Sequence, residues 1–329
     1  MRAWRVHELG EPRDVMRLED APEPEPGPAD LLVRVRAAAV NFPDALLCRG
    51  QYQARPPLPF TPGVELCGEV VGRSSGAAVS DRRVGQRVVA TAALPNGAFA
   101  ELALVSPAHA FPAPEALDDA EAAAFLIGHQ TGWFALHRRA NLQPGETLLV
   151  HAAAGGVGSA AVQLGKAAGA TVIGVVGGPA KAAVARRLGA DVVIDRHAED
   201  FVAVVKDRTG GRGADVIYDP IGGDTYLRST KCVAFEGRIL LIGFAGGTIA
   251  PAPLNHALIK NYSIVGVHWG LYHEHDPDAV RQAHDDLSQL ADKGVVRPYV
   301  SERLPLEQAA DAVQRVADGR TVGRLALIP

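Results

Sequence analysis

Apolar and polar positions follow two rhythms along the chain. Up to about Ala124, short apolar runs such as Leu31-Leu32-Val33-Arg34-Val35 and Glu69-Val70-Val71 are cut off by Pro, Gly and other turn residues, which predicts a mostly β block. The piece Pro22-Glu23-Pro24-Glu25-Pro26-Gly27-Pro28 lies inside it and reads as a stiff loop between strands. From about Phe125 to Asn261, apolar strands alternate with Ala-rich helices. Strands are predicted at Thr147–His151, Thr171–Val176, Asp191–Ile194, Asp215–Asp219 and Arg238–Gly243. Five such strands with helices between them predict a doubly wound α/β fold, a parallel sheet covered on both faces. From about Tyr262 the pattern predicts a strand, a helix over Asp278–Lys293, a second amphipathic helix near Leu306–Asp318 and a last strand, Arg324–Ile328. This piece is too short to stand alone. It is expected to return to the first block, so that 1–124 and 262–329 form one domain, 125–261 form another, and a cleft lies between them.

Composition narrows the function classes. With 329 residues, 47% hydrophobic and 21% charged, the chain is long enough for a full core and two domains. A net charge of -4 and the lack of a dense Lys/Arg block argue against nucleic acid or an anionic membrane surface as partner, leaving a small-molecule substrate. The start, Met1-Arg2-Ala3-Trp4-Arg5-Val6, has no apolar core of a signal peptide, and no run reaches transmembrane length, so a cytoplasmic location is expected. Cys48, Cys67 and Cys232 are scattered without a C-x-x-C pair, which suggests reduced thiols and no cysteine-rich zinc site.

Candidate chemistry concentrates at Leu148-Leu149-Val150-His151-Ala152-Ala153-Ala154-Gly155-Gly156-Val157-Gly158. An apolar strand runs into glycines and restarts as a helix, which brings bare backbone and unpaired helix N–H groups to an anion. Ala153 stands where the dinucleotide-binding motif has its first glycine, and Gly155 and Gly158 hold the later positions. After the second strand the chain reads Val175-Val176-Gly177-Gly178-Pro179-Ala180-Lys181, without the acidic residue that bonds the ribose hydroxyls of NAD. Gly177 and Gly178 leave room for a 2′-phosphate, and Lys181 and Arg196 supply cations for it, so the expected cofactor is NADPH. The plain alternative is that both are solvated surface cations.

Further motifs sit at Val40-Asn41-Phe42-Pro43-Asp44, Gly50-Gln51-Tyr52, Pro57-Leu58-Pro59-Phe60-Thr61-Pro62-Gly63-Val64-Glu65, Leu188-Gly189-Ala190-Asp191 and the ending Leu325 to Pro329. With the glycine turn, they make the chain resemble, over essentially its whole length, the zinc-independent quinone oxidoreductases of the medium-chain dehydrogenase/reductase superfamily. The resemblance implies a GroES-like catalytic domain formed by both termini around a Rossmann domain, often in a homodimer joined through the edge strands of two Rossmann sheets. It implies that Gly155, Gly156, Val157 and Gly158 hold the diphosphate, that Lys181 and Arg196 hold the adenosine phosphate, and that Thr131 and Asn41 face the nicotinamide side. Asp219 and Phe244 fall where strand ends turn toward the cofactor, and Val267-His268-Trp269-Gly270 resembles the segment closing over the nicotinamide amide. Phe244 as a buried aromatic and His268 as a structural hydrogen-bonding histidine stay open beside those roles.

Zinc relatives in the same superfamily need Cys and His ligands around an open coordination position. Here the expected first Cys region holds Asn41 to Asp44, Val64 precedes Glu65 where a ligand His is expected, and no four-cysteine loop exists. His109, His129 and His137 are not spaced as three convergent ligands, so no metal is expected. Without a Lewis acid, hydride addition suits a substrate that already accepts electrons, a quinone or an enone. Tyr52 is the candidate donor to the substrate oxygen or else a loop aromatic packed on the rim, Asn41 orients the substrate, and Asp44 supports by hydrogen bonding or only caps a helix. Leu46 stands where some of these enzymes carry a tyrosine, so no detailed proton relay carries over. A 2-alkenal or enoyl-thioester reductase, and an NADPH-binding regulatory or lens-type protein with little turnover, remain as alternatives.

Overall fold

The computed structural model describes residues 1–73 and 82–329, which pack into two units, Met1–Ile127 with Ser288–Pro329, and Gly128–Leu287. The first unit opens with β1 (Arg2–Val6), β2 (Met16–Asp20), β3 (Leu31–Ala39), β4 (Glu65–Arg73), β5 (Arg87–Thr91), β6 (Leu102–Val105) and β7 (Ala110–Pro112). In β3 the buried Leu31, Val33 and Val35 alternate with the exposed Arg34 and Arg36, as a strand with one covered face requires. The strand runs on through Ala37, Ala38 and Ala39, all buried, where short side chains erase the alternation that marks its first half.

The second unit is built on β8 (Thr147–His151), β9 (Thr171–Val176), β10 (Val192–Asp195), β11 (Ala214–Asp219), β12 (Val233–Leu241) and β13 (Ser263–Gly266). They form one parallel sheet in the order β10-β9-β8-β11-β12-β13. Every residue of β8 is buried, as expected of a strand with helices over both faces. Helices Gly156–Ala167, Pro179–Arg187, Phe201–Arg208, Gly223–Ser229 and Leu254–Lys260 make the crossovers.

Two readings of the sequence need correction here. Residues 262–287 belong to this second unit, not to the terminal block. Its sheet therefore has a sixth strand, with Ser263 to Gly266 paired in register with Arg238 to Leu241. A four-residue strand starting in Ser and ending in Gly carries too little apolar signal to be assigned to a sheet from sequence. β12 also begins five residues earlier than predicted, since Glu236, at φ +57, interrupts its apolar run. The chain then returns to the first unit as β14 (Val300–Pro305), helix Ala309–Ala317 and β15 (Arg324–Ile328). This completes a sheet ordered β14-β15-β3-β4-β5-β7, with β6 paired to β3. Its core gathers Leu31, Phe60, Leu66, Phe99, Val313 and Leu327. No helix among the described residues is long and apolar enough to cross a membrane.

Candidate functional site

The second unit contains the glycine turn. β8 ends at His151, the backbone turns through Ala152 at φ +51, and helix Gly156–Ala167 starts after Gly155. The first intrahelical bond runs from Ser159 N–H to the Gly155 carbonyl, so the N–H groups of Gly156, Val157 and Gly158 have no partner within the helix. A Cβ on Gly158 would stand 2.2 Å from the Ala152 carbonyl oxygen, so this turn closes only around a glycine. Ala153 at the motif's first position has a local reason. Its methyl occupies space left by Gly174 of β9, where a Cβ would come within 2.9 Å. The small residue the turn needs has moved to the neighbouring strand. His151 is fully buried and neutral, pushed down to about 3 by burial and by Arg228 and Arg196. Its Nε2–H donates to Ser229 Oγ (2.9 Å), whose hydroxyl donates to the Thr225 carbonyl.

Beside the turn, Lys181 and Arg196 gather around Gly177-Gly178. A Cβ on Gly177 would lie 3.1 Å from Arg196 Nε, and Gly178 has φ +90, so both glycines keep this surface open. Burial and the nearby Arg196 charge lower the Lys181 pKa. Asp195, which directly precedes Arg196, accepts from the N–H of Gly178 (2.9 Å) and His197 (3.1 Å), which makes it a brace for the loop.

Other predicted residues lie along the carboxyl ends of the strands, where ligands bind open α/β sheets. Asp219 ends β11. One oxygen accepts from Ile221 and Gly222 N–H, the other is buried without a partner, and burial raises its pKa. That orphaned acceptor and the glycine cradle fit a dinucleotide, whose ribose and amide groups supply donors. Phe244, three residues past β12, is not buried. It is 41% exposed, and its ring crosses the face of Gly222 so closely that a Cβ there would lie 2.6 Å away. His268 is exposed and Trp269 half-buried just past β13. Thr131 is buried on helix Leu126–Trp133, whose Gly128 approaches the Gly156 carbonyl at the glycine turn.

Asn41, Asp44 and Tyr52 are brought together in the first unit. Asn41 precedes helix Phe42–Cys48, and its N–H donates to Asp44 Oδ2 (2.8 Å), so Asp44 does cap this helix. The other Asp44 oxygen accepts from Gly63 and Val64 N–H, each at 3.0 Å, which ties the helix to the Pro62-Gly63-Val64 loop. Both hydrogens of the Asn41 amide are spent, on the Ala39 carbonyl (3.2 Å) and Glu65 Oε2 (2.9 Å), and its oxygen accepts from Arg324 (2.9 Å). Asn41 is thus built into the scaffold. Tyr52 is half-buried, with its pKa raised by burial and by the charge of Asp44, so the phenol stays protonated as a donor.

Burial outweighs the three N–H donors at Asp44 and raises its carboxyl from 3.8 to about 7. Between those values the folded protein holds a proton that the unfolded chain has released. This group therefore lowers stability progressively as pH rises from about 4 to about 7, and its effect levels off above that. Asp44→Asn is expected to remove that slope. Denaturation midpoints of the variant and the native protein at pH 5 and pH 8 check it, and a native-minus-variant difference independent of pH would contradict it.

Glu65 and Arg324 were not singled out by sequence reasoning. Glu65 is 0% exposed and Arg324 5% exposed, joined at 2.6 Å, and the second Glu65 oxygen accepts from Ile127 N–H (2.8 Å). Gln130 was also missed, although it adjoins Thr131, and its amide oxygen accepts from Trp269 Nε1–H at 2.8 Å. These partners are far apart in sequence, and no local motif marks them.

Residues 27–115 match the family described as alcohol dehydrogenase GroES-like domain, and residues 156–288 match the family described as zinc-binding dehydrogenase. The residues here do not fit a zinc site. Among the described residues no group of three or more His, Cys, Asp or Glu is placed to hold a metal ion. Cys48 and Cys67 are fully buried, with burial pushing each thiol up to about 12. The chain is 36% identical to a quinone oxidoreductase-like protein 2 homolog of Nematostella vectensis, over 99% of this chain and 88% of that protein. It is also 36% identical to a quinone oxidoreductase of Pseudomonas aeruginosa, over 96% of each. The fold is similar to Escherichia coli quinone oxidoreductase complexed with NADPH, with a TM-score of 0.91, 31% identity and all of both chains covered. Motifs, two-unit architecture and whole-length similarity agree: this chain belongs to the quinone oxidoreductase family of the medium-chain dehydrogenase/reductase superfamily.

Proposed function

We propose that the protein is an NADPH-dependent reductase of quinones and related activated carbonyls that works without a metal. The observation that carries this reading is the open surface at Gly177-Gly178, where the Lys181 and Arg196 charges lie close enough to act on each other and one Asp195 oxygen accepts from the Gly178 and His197 N–H groups. Two neighbouring cations beside a glycine surface suit a 2′-phosphate. Gly155 to Gly158 take the diphosphate, and the orphaned Asp219 oxygen and Thr131 face the remainder of the dinucleotide. Bound NADPH supplies the hydride.

Negative charge then develops on the acceptor oxygen, and a hydrogen-bond donor there lowers the barrier. Tyr52 fits that role because Asp44 and burial keep its hydroxyl protonated. Asp44 and Asn41 act one step back, holding the helix and loop that carry the site. With the donor set unsuited to zinc, electron-poor acceptors are the substrates that such a site can reduce.

Acceptor profiling of chelator-treated protein tests the reading. Saturable NADPH oxidation by a 1,4-quinone is expected. Rapid turnover of linear 2-alkenals or an enoyl-CoA with negligible quinone turnover would replace it with the enal or enoyl-thioester reaction, and tight NADPH binding with no turnover would mark a regulator. Lys181→Ala is expected to weaken NADPH about tenfold or more, for the loss of one charge-assisted contact, and to leave NADH unchanged. Calorimetric titration with both cofactors reads this, and an unchanged NADPH dissociation constant would remove Lys181 from the pocket.

We also place a homodimer contact at β13. Beside this edge strand, helix Leu254–Lys260 exposes Leu254 (72%), Leu258 (81%) and Ile259 (77%), an apolar face that a second copy would cover. Light scattering should give twice the chain mass, and a monomer at micromolar concentration would contradict it.

A further inference from the structure

The segment after β13 is fastened at three points to helix Leu126–Trp133 and the π-helical turn Phe134–Arg139 that continues it. Trp269 Nε1–H donates to Gln130 Oε1 at 2.8 Å, Tyr272 stacks on Phe134 with ring centroids 4.0 Å apart, and Arg138 pairs with Asp276 at 2.9 Å. The same helix places Gly128 against the Gly156 carbonyl of the diphosphate turn, and Gly132 where a Cβ would meet Leu164 at 2.7 Å. One element therefore touches both the turn that takes the diphosphate and the strap that carries Trp269.

Gln130 is 0% exposed, and its Nε2 is buried with no hydrogen-bond partner. An unmet buried donor costs about 1–3 kcal/mol, so this side chain stands at its position with a stability penalty. The indole contact also fixes its amide orientation. Flipping the amide would set NH2 against the indole N–H and lose the bond that the side chain makes to Trp269. On its other side the indole meets His273 edge-on at 4.9 Å.

We propose that Gln130 is a positioning residue for the dinucleotide: it fixes the Trp269 indole at the carboxyl end of β13 and, through it, the wall against which the nicotinamide half of the cofactor rests. The inference rests on the NADPH reading above. Gln130 acts through Trp269 and makes no contact of its own with the cofactor. Its neighbour Thr131 shares the helix, so the acceptor oxygen of Gln130 couples the strap to the element carrying a candidate cofactor contact.

A double-mutant cycle with Gln130→Met, Trp269→Phe and the double variant tests this, with the NADPH dissociation constant as readout. Each single change is expected to weaken NADPH about tenfold, or about 1.4 kcal/mol, and the double change to weaken it by about the same tenfold, because both remove one link. A roughly hundredfold loss in the double variant, or an unchanged constant in Gln130→Met, would overturn the proposal. Near-UV circular dichroism of the cofactor-free proteins gives an independent reading. Gln130→Met should alter the tryptophan signal in the native background but not in Trp269→Phe, and Gln130→Glu, which keeps an acceptor oxygen, should restore most of it. An identical change in both backgrounds would show that Gln130 does not act on Trp269. If the native protein binds no NADPH while these dichroism results hold, the cofactor reading fails and the Gln130–Trp269 link stands.

Discussion

Arg324→Met is expected to destabilise the first unit by about 3–5 kcal/mol, the usual consequence of leaving one member of a buried ion pair without its partner. Glu65 has no exposed surface, and Arg324 supplies both the charge that balances it and a bond to Asn41. With the guanidinium gone, Glu65 keeps only the Ile127 N–H and the Asn41 amide, neither of them charged. The Asn41 oxygen also loses its donor, so the damage reaches the residue that starts helix Phe42–Cys48. Replacing both partners by apolar residues, Glu65→Leu with Arg324→Met, should be less damaging than Arg324→Met alone, since it removes the buried charge along with its counter-ion. Thermal and chemical denaturation check both variants. A single variant as stable as the native protein, or a double variant clearly worse than the single one, would show that the pair is not an isolated buried charge couple.

Gly158→Ala is expected to abolish measurable NADPH binding while leaving most of the second sheet folded. The added methyl carbon would meet the Ala152 oxygen at 2.2 Å, the Ala152 carbonyl carbon at 2.8 Å and the His151 oxygen at 3.1 Å. All three are backbone atoms at the end of β8, so no side chain can swing aside. The helix start must shift away from the strand and take with it the Gly156 and Val157 N–H groups proposed to hold the diphosphate. Gly155→Ala is the internal control, because its Cβ would meet the Ala152 oxygen at 3.2 Å, a contact that a small adjustment relieves. Titration with NADPH should show loss of at least about hundredfold for Gly158→Ala and less than about tenfold for Gly155→Ala. Equal losses in the two variants would mean that the close approach at Gly158 does not shape the site.

What the sequence made legible were features whose causes lie within a few residues of one another. The β8 turn was readable because an apolar strand, three glycines and a small-residue helix follow in order. The edge of the same sheet was not, since β13 is four residues long and joins only after the crossover through Leu254–Lys260. Asp44 could be read as a cap because its partner Asn41 is three residues away. That its carboxylate also holds Gly63 and Val64, and that Asn41 is consumed by Glu65 and Arg324, depends on partners 19 to 283 residues distant. Ala153 looked like a departure from the motif until Gly174 appeared across from it on β9. Gln130 and Trp269, 139 residues apart, form their bond only once the strap is folded.

The most direct test of the account is the initial rate of NADPH oxidation by chelator-treated protein with a 1,4-quinone, run in parallel with NADH. The proposed phosphate site at Lys181 and Arg196, together with the lack of a zinc donor set among the described residues, predicts saturable turnover without added metal, with kcat/KM for NADPH about tenfold or more above that for NADH. Turnover that appears only after zinc is restored, or equal use of the two cofactors, would contradict it.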